Sequence, residues 1–348
     1  MTRVRFGVGF APNVPAPQVI EAVQLAERLG YDVFWITDSH LAAREAMAML
    51  GALAVSTERI HLGPGVSHLA GRHPSVIASA MATLDELAPG RIRLGIGVGD
   101  SGPLNLGVPR TGLRELETAV TSIRDLLEGR EVDGVTRKLT LGYVKTAQPH
   151  RVPIYVAGSA ERTQRLAGRV ADGALISGMP DELESAIKFV RQGEREANRA
   201  AGSTRTLLWT TVAIGEDRAA ARAAVRASVA RRALNSFGRL ARAGRLSADD
   251  AAALAKLQAA HDQGHLWEPE HADLVPDRWI DLFAIAGTPA EVRARLERAV
   301  QTGAEEISMI LMGPRPGDRG AGVLLTHFAE TVMQPINRVA AGQSSSVL

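Results

Sequence analysis

Residues 60 to 100, IHLGPGVSHLAGRHPSVIASAMATLDELAPGRIRLGIGVGD, constrain the fold of this chain more than any other stretch. The apolar run from Ile60 to Val66 lies between polar neighbours and reads as a buried strand, as does Ile92 to Val98. Between them Pro74 suits a first helical turn, Val76, Ile77, Ala80, Leu84 and Leu87 recur near helical spacing, and Pro89-Gly90 supplies the stop. Strands joined through a helix run parallel. Ligands of such units bind beyond the carboxyl ends of the strands, so Val66, Ser67 and His68 open on the same face as Gly99, Asp100 and Ser101.

The same alternation runs along the whole chain. Strands are predicted at Val4 to Phe10, Val33 to Thr37, Pro153 to Ala157, Gly173 to Ile176, Thr206 to Ile214 and Glu306 to Met312, besides the two above. Helices are predicted from about Pro17 to Leu29, Leu41 to Val55, Leu113 to Leu127, Gly158 to Val170, Asp181 to Ala197, Thr288 to Gly303 and Gly322 to Val339. After Asp100 the residues SGPLNLGVPR read as a loop, and Asp133-Gly134 marks a small hairpin. Eight strand-helix pairs indicate a (β/α)8 barrel spanning residues 1 to 340, an α/β fold; an open doubly wound sheet is the alternative. Residues 217 to 281 are an insertion after strand seven, helical to about His261 and irregular from Gly264 to Asp281, and are expected to act as a lid. Residues 341 to 348 are expected to be a disordered tail.

Composition narrows the setting. The chain of 348 residues is 45% hydrophobic and 22% charged, with a net charge of +2, which gives no basis for a nucleic-acid partner. No apolar run approaches a membrane span and no signal peptide is evident, so no membrane association and a cytoplasmic location are expected. Without cysteine there is no disulfide or thiolate chemistry. His261, His265 and His271, near Trp267 and Trp279, lack the spacing of a metal site, and no metal is expected. The string Gly95-x-Gly97-x-Gly99 lacks the third-glycine spacing of a dinucleotide fingerprint and reads as close packing and close approach of a ligand.

Several motifs in series carry a resemblance: Asp38-Ser39 after FWIT, Gly63-Pro-Gly-Val, Arg72-His73-Pro74, ATLDEL at 82 to 87, LGIGVGD at 94 to 100, PIYVA at 153 to 157 and Ala171-Asp172-Gly173. Together they resemble the luciferase-like flavin oxidoreductase superfamily, and within it the branch that uses the deazaflavin coenzyme F420, typified by methylenetetrahydromethanopterin reductase. The resemblance is dense over residues 4 to 215 and looser over 287 to 312. It implies a (β/α)8 barrel, often dimeric, with the cofactor across the carboxyl-end face. It further implies that Asp38 hydrogen-bonds the deazaflavin, that Gly65-Val66 is a non-proline cis peptide forming a bulge under the ring, and that Ser67, Val98 and Gly99 complete the ring's surroundings. Ala157, Gly158, Ser159 and Ala160 would meet the cofactor phosphate. A strand-to-helix turn there supports that role independently, because it presents unpaired N–H groups and a positive helix end; Ser159 as a simple N-cap is the alternative.

The expected function is F420-dependent transfer of a hydride between C5 of the deazaflavin and a small organic substrate. An FMN-dependent monooxygenase and a non-catalytic flavin-binding barrel are the alternatives. His40 and Asp100 are the candidate catalytic proton carriers, since both fall at strand ends; a loop histidine and a loop cap are their plainer readings. His68 and Trp267 are candidate substrate contacts, while Arg72 and His73 are read as fixing the start of the third helix. Arg218, Arg222, Arg226, Arg231 and Arg232 form a solvated helix face, or attract an anionic substrate or the polyglutamate tail of the deazaflavin.

Overall fold

The strand-helix alternation folds as expected into one closed barrel. The structure, a computed structural model, describes residues 3–242, 244, 246–260, 272–313 and 320–344. In chain order the first half comprises β1 (Arg5–Phe10), α1 (Ala16–Leu29), β2 (Val33–Ile36), α2 (Ala46–Ser56), β3 (His61–Pro64), α3 (Pro74–Leu87), β4 (Leu94–Ile96), α4 (Ser101–Leu106) and α5 (Leu113–Leu127). A hairpin of β5 (Val132–Asp133) and β6 (Lys138–Leu139) follows, then β7 (Ile154–Gly158), α6 (Glu161–Val170), β8 (Gly173–Ser177), α7 (Leu183–Glu196) and β9 (Arg205–Ile214). The chain continues through α8 (Arg218–Arg242), α9 (Ala248–Ala260), α10 (Asp277–Phe283), β10 (Ile285–Gly287), α11 (Pro289–Thr302), β11 (Glu306–Met312), α12 (Gly320–Phe328) and α13 (Gln334–Ser344).

The parallel strands run in the order β3-β2-β1-β11-β9-β8-β7-β4. The ring closes through parallel bridges Leu62 to Ile92 and Ser67 to Ile96. The Ser67 N–H donates to the Gly95 carbonyl at 2.8 Å and the Gly97 N–H to the Ser67 carbonyl at 3.0 Å. Closure rules out the open doubly wound sheet, which keeps two free edges.

Strand alternation explains the two layers of core. In β1, Phe6 and Val8 pack outward against the helices, while Gly7 and Gly9 face the interior and leave room for Ser308 and Trp209. The interior is filled by Val33, Trp35, Tyr155, Leu175 and Leu207. Toward the amino ends of the strands, Arg93 and Glu306 form a buried ion pair at 2.7 Å. Ser308 donates to Glu306 at 2.8 Å and receives the Trp35 indole N–H at 3.0 Å. Two charges buried this deeply persist only when paired and hydrogen-bonded.

Several sequence expectations are corrected. The predicted loop after Asp100 begins as α4, because SGPLNL places Gly102 and Pro103 in the first turn, where proline costs no hydrogen bond. The helix expected from Leu41 starts only at Ala46. Leu41 has φ 65°, and the Glu45 side chain caps the helix by accepting the Ala48 N–H at 2.6 Å. The single helix expected from 217 to about 261 is α8 and α9, and the irregular stretch up to Asp281 already contains the start of α10. An unanticipated strand, β10, extends the sheet by pairing with β9. The proposed tail is helical as far as Ser344. Trp267, His261, His265 and His271 lie outside the described residues.

The described part of the insertion has its own core, in which Phe237 meets Trp279 and Phe283 edge-on with ring centres 5.0 Å apart in both pairs. Trp279 also donates its indole N–H to Asp250 at 2.6 Å. Ion pairs from Arg222 to Asp281 and from Arg226 to Asp277 clasp α8 to α10, and Arg218 pairs with Glu291. These three arginines are therefore not merely solvated.

Candidate active site

The carboxyl ends of the barrel strands surround a cavity of about 460 Å³, within the range of cofactor and substrate pockets. Its wall combines Asp38 after β2, Gly65, Val66 and His68 after β3, and the segment from Gly97 to Gly102 after β4. The far side is formed by Ala157 to Ala160 at the β7 to α6 turn and by Trp209 on β9. One face of α8 roofs the cavity.

Asp38 is buried and fixed from two sides. The Ser67 hydroxyl donates to its Oδ2 at 3.0 Å, and the Arg72 guanidinium pairs with the same oxygen. Arg72 also pairs with Glu45. Burial opposes the charge on Arg72, but Asp38 and Glu45 outweigh it and raise its pKa. Arg72 thus anchors a loop junction, a role its position before Pro74 did not disclose. Among the described bonds Asp38 Oδ1 has no partner, which leaves it as an acceptor for a ligand.

The Gly65-Val66 peptide is cis. Val66 packs over Gly95 and Gly97, and a Cβ on Gly95 would lie 2.5 Å from the Pro64 carbonyl oxygen, so the glycine string serves close packing.

His68 is 1% exposed, and both of its ring nitrogens are buried without a hydrogen-bond partner. The ring is pressed against Gly102, where a Cβ would fall 1.9 Å from Nε2. Burial lowers its pKa, with Arg72 and His40 adding to the effect and Asp38 opposing it. A neutral imidazole with two unmet polar atoms, on a cavity wall, is poised for a polar ligand group.

His40 is placed differently from the expectation. It does not line the cavity, and its backbone carbonyl accepts the Asn105 side-chain N–H at 2.6 Å. Asp100 is at the mouth, half-exposed and paired with Arg110. The Ser39 and Ser101 hydroxyls meet at 3.0 Å and tie the β2 loop to α4.

At the β7 to α6 turn, Gly158 fits against Thr163, whose Cγ2 would lie 2.5 Å from an added Cβ. Ala160, not Ser159, is the N-cap of α6 and offers no side-chain bond, so the leading N–H groups suit an anion. Sequence reasoning missed Arg110, Thr163 and Trp209. For Trp209 the period-two alternation of β9 was a usable signal, because Leu207 and Trp209 share the inward face.

Comparison with known proteins agrees with this architecture. A family model described as "Luciferase-like monooxygenase" matches residues 2–306. The 5,10-methylenetetrahydromethanopterin reductase of Archaeoglobus fulgidus is 33% identical over 313 residues, covering 87% of this chain and 92% of that protein. An F420-dependent glucose-6-phosphate dehydrogenase of Nakamurella multipartita is 35% identical over 238 residues, covering 62% of this chain and 69% of that protein. Among solved structures, the coenzyme F420-dependent tetrahydromethanopterin reductase of Methanopyrus kandleri superposes with a TM-score of 0.80 at 26% identity, covering 96% of this chain and all of that one. An F420-dependent secondary alcohol dehydrogenase, in complex with an F420-acetone adduct, shares the fold with a TM-score of 0.74 at 19% identity, covering 97% and 99% of the two chains.

Proposed function

Because the chain belongs to the luciferase-like monooxygenase family, we propose that it is an F420-dependent oxidoreductase that moves a hydride between the deazaflavin and a carbon atom of a small organic substrate. The observation that carries this reading is convergence. Asp38, Gly65-Val66, Gly99 and Gly158-Ser159, from four separate strand ends, border one cavity, and a relative and a solved structure named for F420 chemistry match 62% and 96% of the chain.

When bound, the deazaflavin supplies a carbon centre, C5, that accepts or releases a hydride. The protein's part is to bind, orient and manage the proton. Asp38, held by Ser67 and Arg72, keeps Oδ1 available to the ring system. The Gly65-Val66 turn and Gly97, which line the cavity, would offer a surface for the ring, and the first turn of α6 with Thr163 would hold the phosphate. The face of α8 that lines the cavity would limit the access of water to a bound ring.

A hydride carries two electrons away from the substrate carbon, and the adjacent heteroatom then releases a proton. We assign that proton to His68, which burial keeps neutral and able to accept it; in reverse, the imidazolium returns it. Asp100 at the mouth completes the route to solvent, and His40, set behind the wall, stabilises the loop. His68→Ala should abolish turnover with cofactor binding retained, whereas His40→Ala should keep most of it; the reverse pattern would return the role to His40.

Reduced coenzyme deuterated at C5, incubated with candidate carbonyls and imines, provides the test of the reaction. Deuterium recovered on a substrate carbon supports the reading. Oxygen consumption with reduced FMN and no such transfer would replace it with the monooxygenase. We further propose a homodimer. Helix α2, AMAMLGALAVS, is apolar on every side yet leaves Val55 exposed, and Val76 and Leu87 of α3 are exposed as well. No helix among the described residues is long and apolar enough to cross a membrane.

A further inference from the structure

The amino-terminal rim of the barrel, at the end away from the cavity, carries a charge pattern that the proposed reaction does not use. Arg5, His61, Arg93 and Arg205 each stand two residues before a position that faces the interior, namely Gly7, Gly63, Gly95 and Leu207. Strand alternation therefore aims all four inward, and inward side chains from different strands meet across the interior of an eight-stranded barrel. The electrostatics agrees with that placement. Burial raises the pKa of the Tyr155 hydroxyl, and Arg93, Arg205 and Arg5 each oppose the rise. The guanidinium of Arg93 lies 5.6 Å from the centre of the Tyr155 ring.

The carboxylates at these strand ends are already held. Glu306 pairs with Arg93 and receives the Ser308 hydroxyl. Asp32 accepts the Phe6 N–H at 2.9 Å and pairs with Arg3, which acts on it more than Arg5 does. Asp172 accepts the Ile154 N–H at 2.8 Å and pairs with Arg124, and Glu305 accepts the Thr206 N–H at 3.2 Å. Arg5 and Arg205 make no ion pair among the described residues. Within the inward-facing set, the guanidiniums of Arg5, Arg93 and Arg205 meet only the carboxylate of Glu306, so positive charge is in excess. Burial lowers the pKa of His61, with Arg93 and Arg5 adding to the effect, and its Nδ1 is buried without a hydrogen-bond partner. Like charges gathered at one place repel, and an anion placed among them offsets the repulsion.

We infer that the amino-terminal rim of the barrel holds a second ligand site, in which Arg5, Arg205 and His61 take a small, multiply charged oxyanion of the phosphate class. The two guanidiniums supply charge-assisted donors, and the imidazole adds a third polar contact. These residues come from β1, β9 and β3 and are brought together only by the folded barrel, so an anion bound there stabilises the folded state. The site stands apart from the cavity at the carboxyl ends and does not rest on the reaction proposed above.

The probe is inorganic pyrophosphate, added to the full-length protein while the imidazole signals of His61 are followed by NMR; their absence from His61→Gln identifies them. Saturable movement of these signals is expected, whereas pyrophosphate held at the carboxyl ends would leave them in place. A bound anion also counters Arg93, Arg5 and Arg91 at the imidazole, so the pKa of His61, about 4 without it, should rise. Loss of two charge-assisted contacts should weaken binding at least about tenfold in Arg5→Gln/Arg205→Gln. Arg205→Gln alone, at an exposed position that leaves the core intact, should weaken it by less. Arg222→Gln, which removes the same charge from α8, should bind as the unaltered protein does. His61 signals that do not move with pyrophosphate, or that move with equal affinity in the unaltered protein and Arg205→Gln, would overturn the inference.

Discussion

Replacing Gly102 by alanine sets two opposed effects against each other at the site. Alanine is the better helix former, worth about 1 kcal/mol in a helix interior. However, its Cβ would lie 1.9 Å from His68 Nε2, 2.5 Å from Cε1 and 2.6 Å from Cδ2, about 1.5 Å inside ordinary contact for the closest atom. His68 is 1% exposed, so the ring cannot swing outward to solvent and must shift within the packed wall. Overpacking of this kind costs about 1–3 kcal/mol and outweighs the propensity gain. We therefore expect Gly102→Ala to lose up to about 2 kcal/mol in urea denaturation, together with a marked loss of turnover. In the His68→Ala background the obstacle is gone, and the same change should be neutral or stabilising by up to about 1 kcal/mol. Denaturation midpoints of the four proteins measure this directly. An equal effect of Gly102→Ala in both backgrounds would refute the claim that Gly102 is there to seat His68.

Other predictions concern the scaffold. Glu306→Gln leaves Arg93 buried without its counter-charge and should cost about 3–5 kcal/mol in urea denaturation, much of it recovered in Arg93→Met/Glu306→Leu. His61, whose pKa is lowered to about 4 by burial and by Arg93 and Arg5, binds its proton in the unfolded chain first, near 6.5. Stability from this group is therefore complete above pH 6.5 and falls by about 1–3 kcal/mol toward pH 4, and His61→Gln should flatten that part of the pH profile. Trp279→Ala should cost about 3–5 kcal/mol by emptying the aromatic core under α8, while Arg222→Ala, which removes a half-exposed ion pair, should cost about 1 kcal/mol or less; thermal unfolding separates the two.

The barrel was legible because its signals are local. Apolar runs of strand length, helical spacing between them and Pro or Gly at the ends recur along the chain, and β and α assignments at residues 60 to 100 follow from them directly. The boundaries were less legible where side chains override propensity. LAAREAMAML reads as continuous helix, but Leu41 in the left-handed region and the cap from Glu45 delay the start to Ala46. The strand-end placement of Asp38 and of the β7 to α6 turn was readable from position, since strand ends mark the ligand face of a barrel, whereas the cofactor roles expected of them came from the family resemblance. The role of Arg72 was not readable, because its partners Asp38 and Glu45 are 34 and 27 residues away and meet it only when three loops converge. The sequence sets both His40 and His68 just after strand ends, and only the fold brings His68 onto the cavity wall and leaves His40 off it. The arginines of α8 illustrate the same limit, as composition shows a basic helix but not which stripe has acidic neighbours.

The central claim is that this cavity takes a deazaflavin in preference to a flavin. Fluorescence titration of the purified protein with oxidised F420 and, in parallel, with FMN tests it most directly. Saturable binding of F420 with markedly weaker binding of FMN, and loss of the F420 signal in Asp38→Ala, is the predicted result. Preference for FMN, or binding of neither, would contradict it.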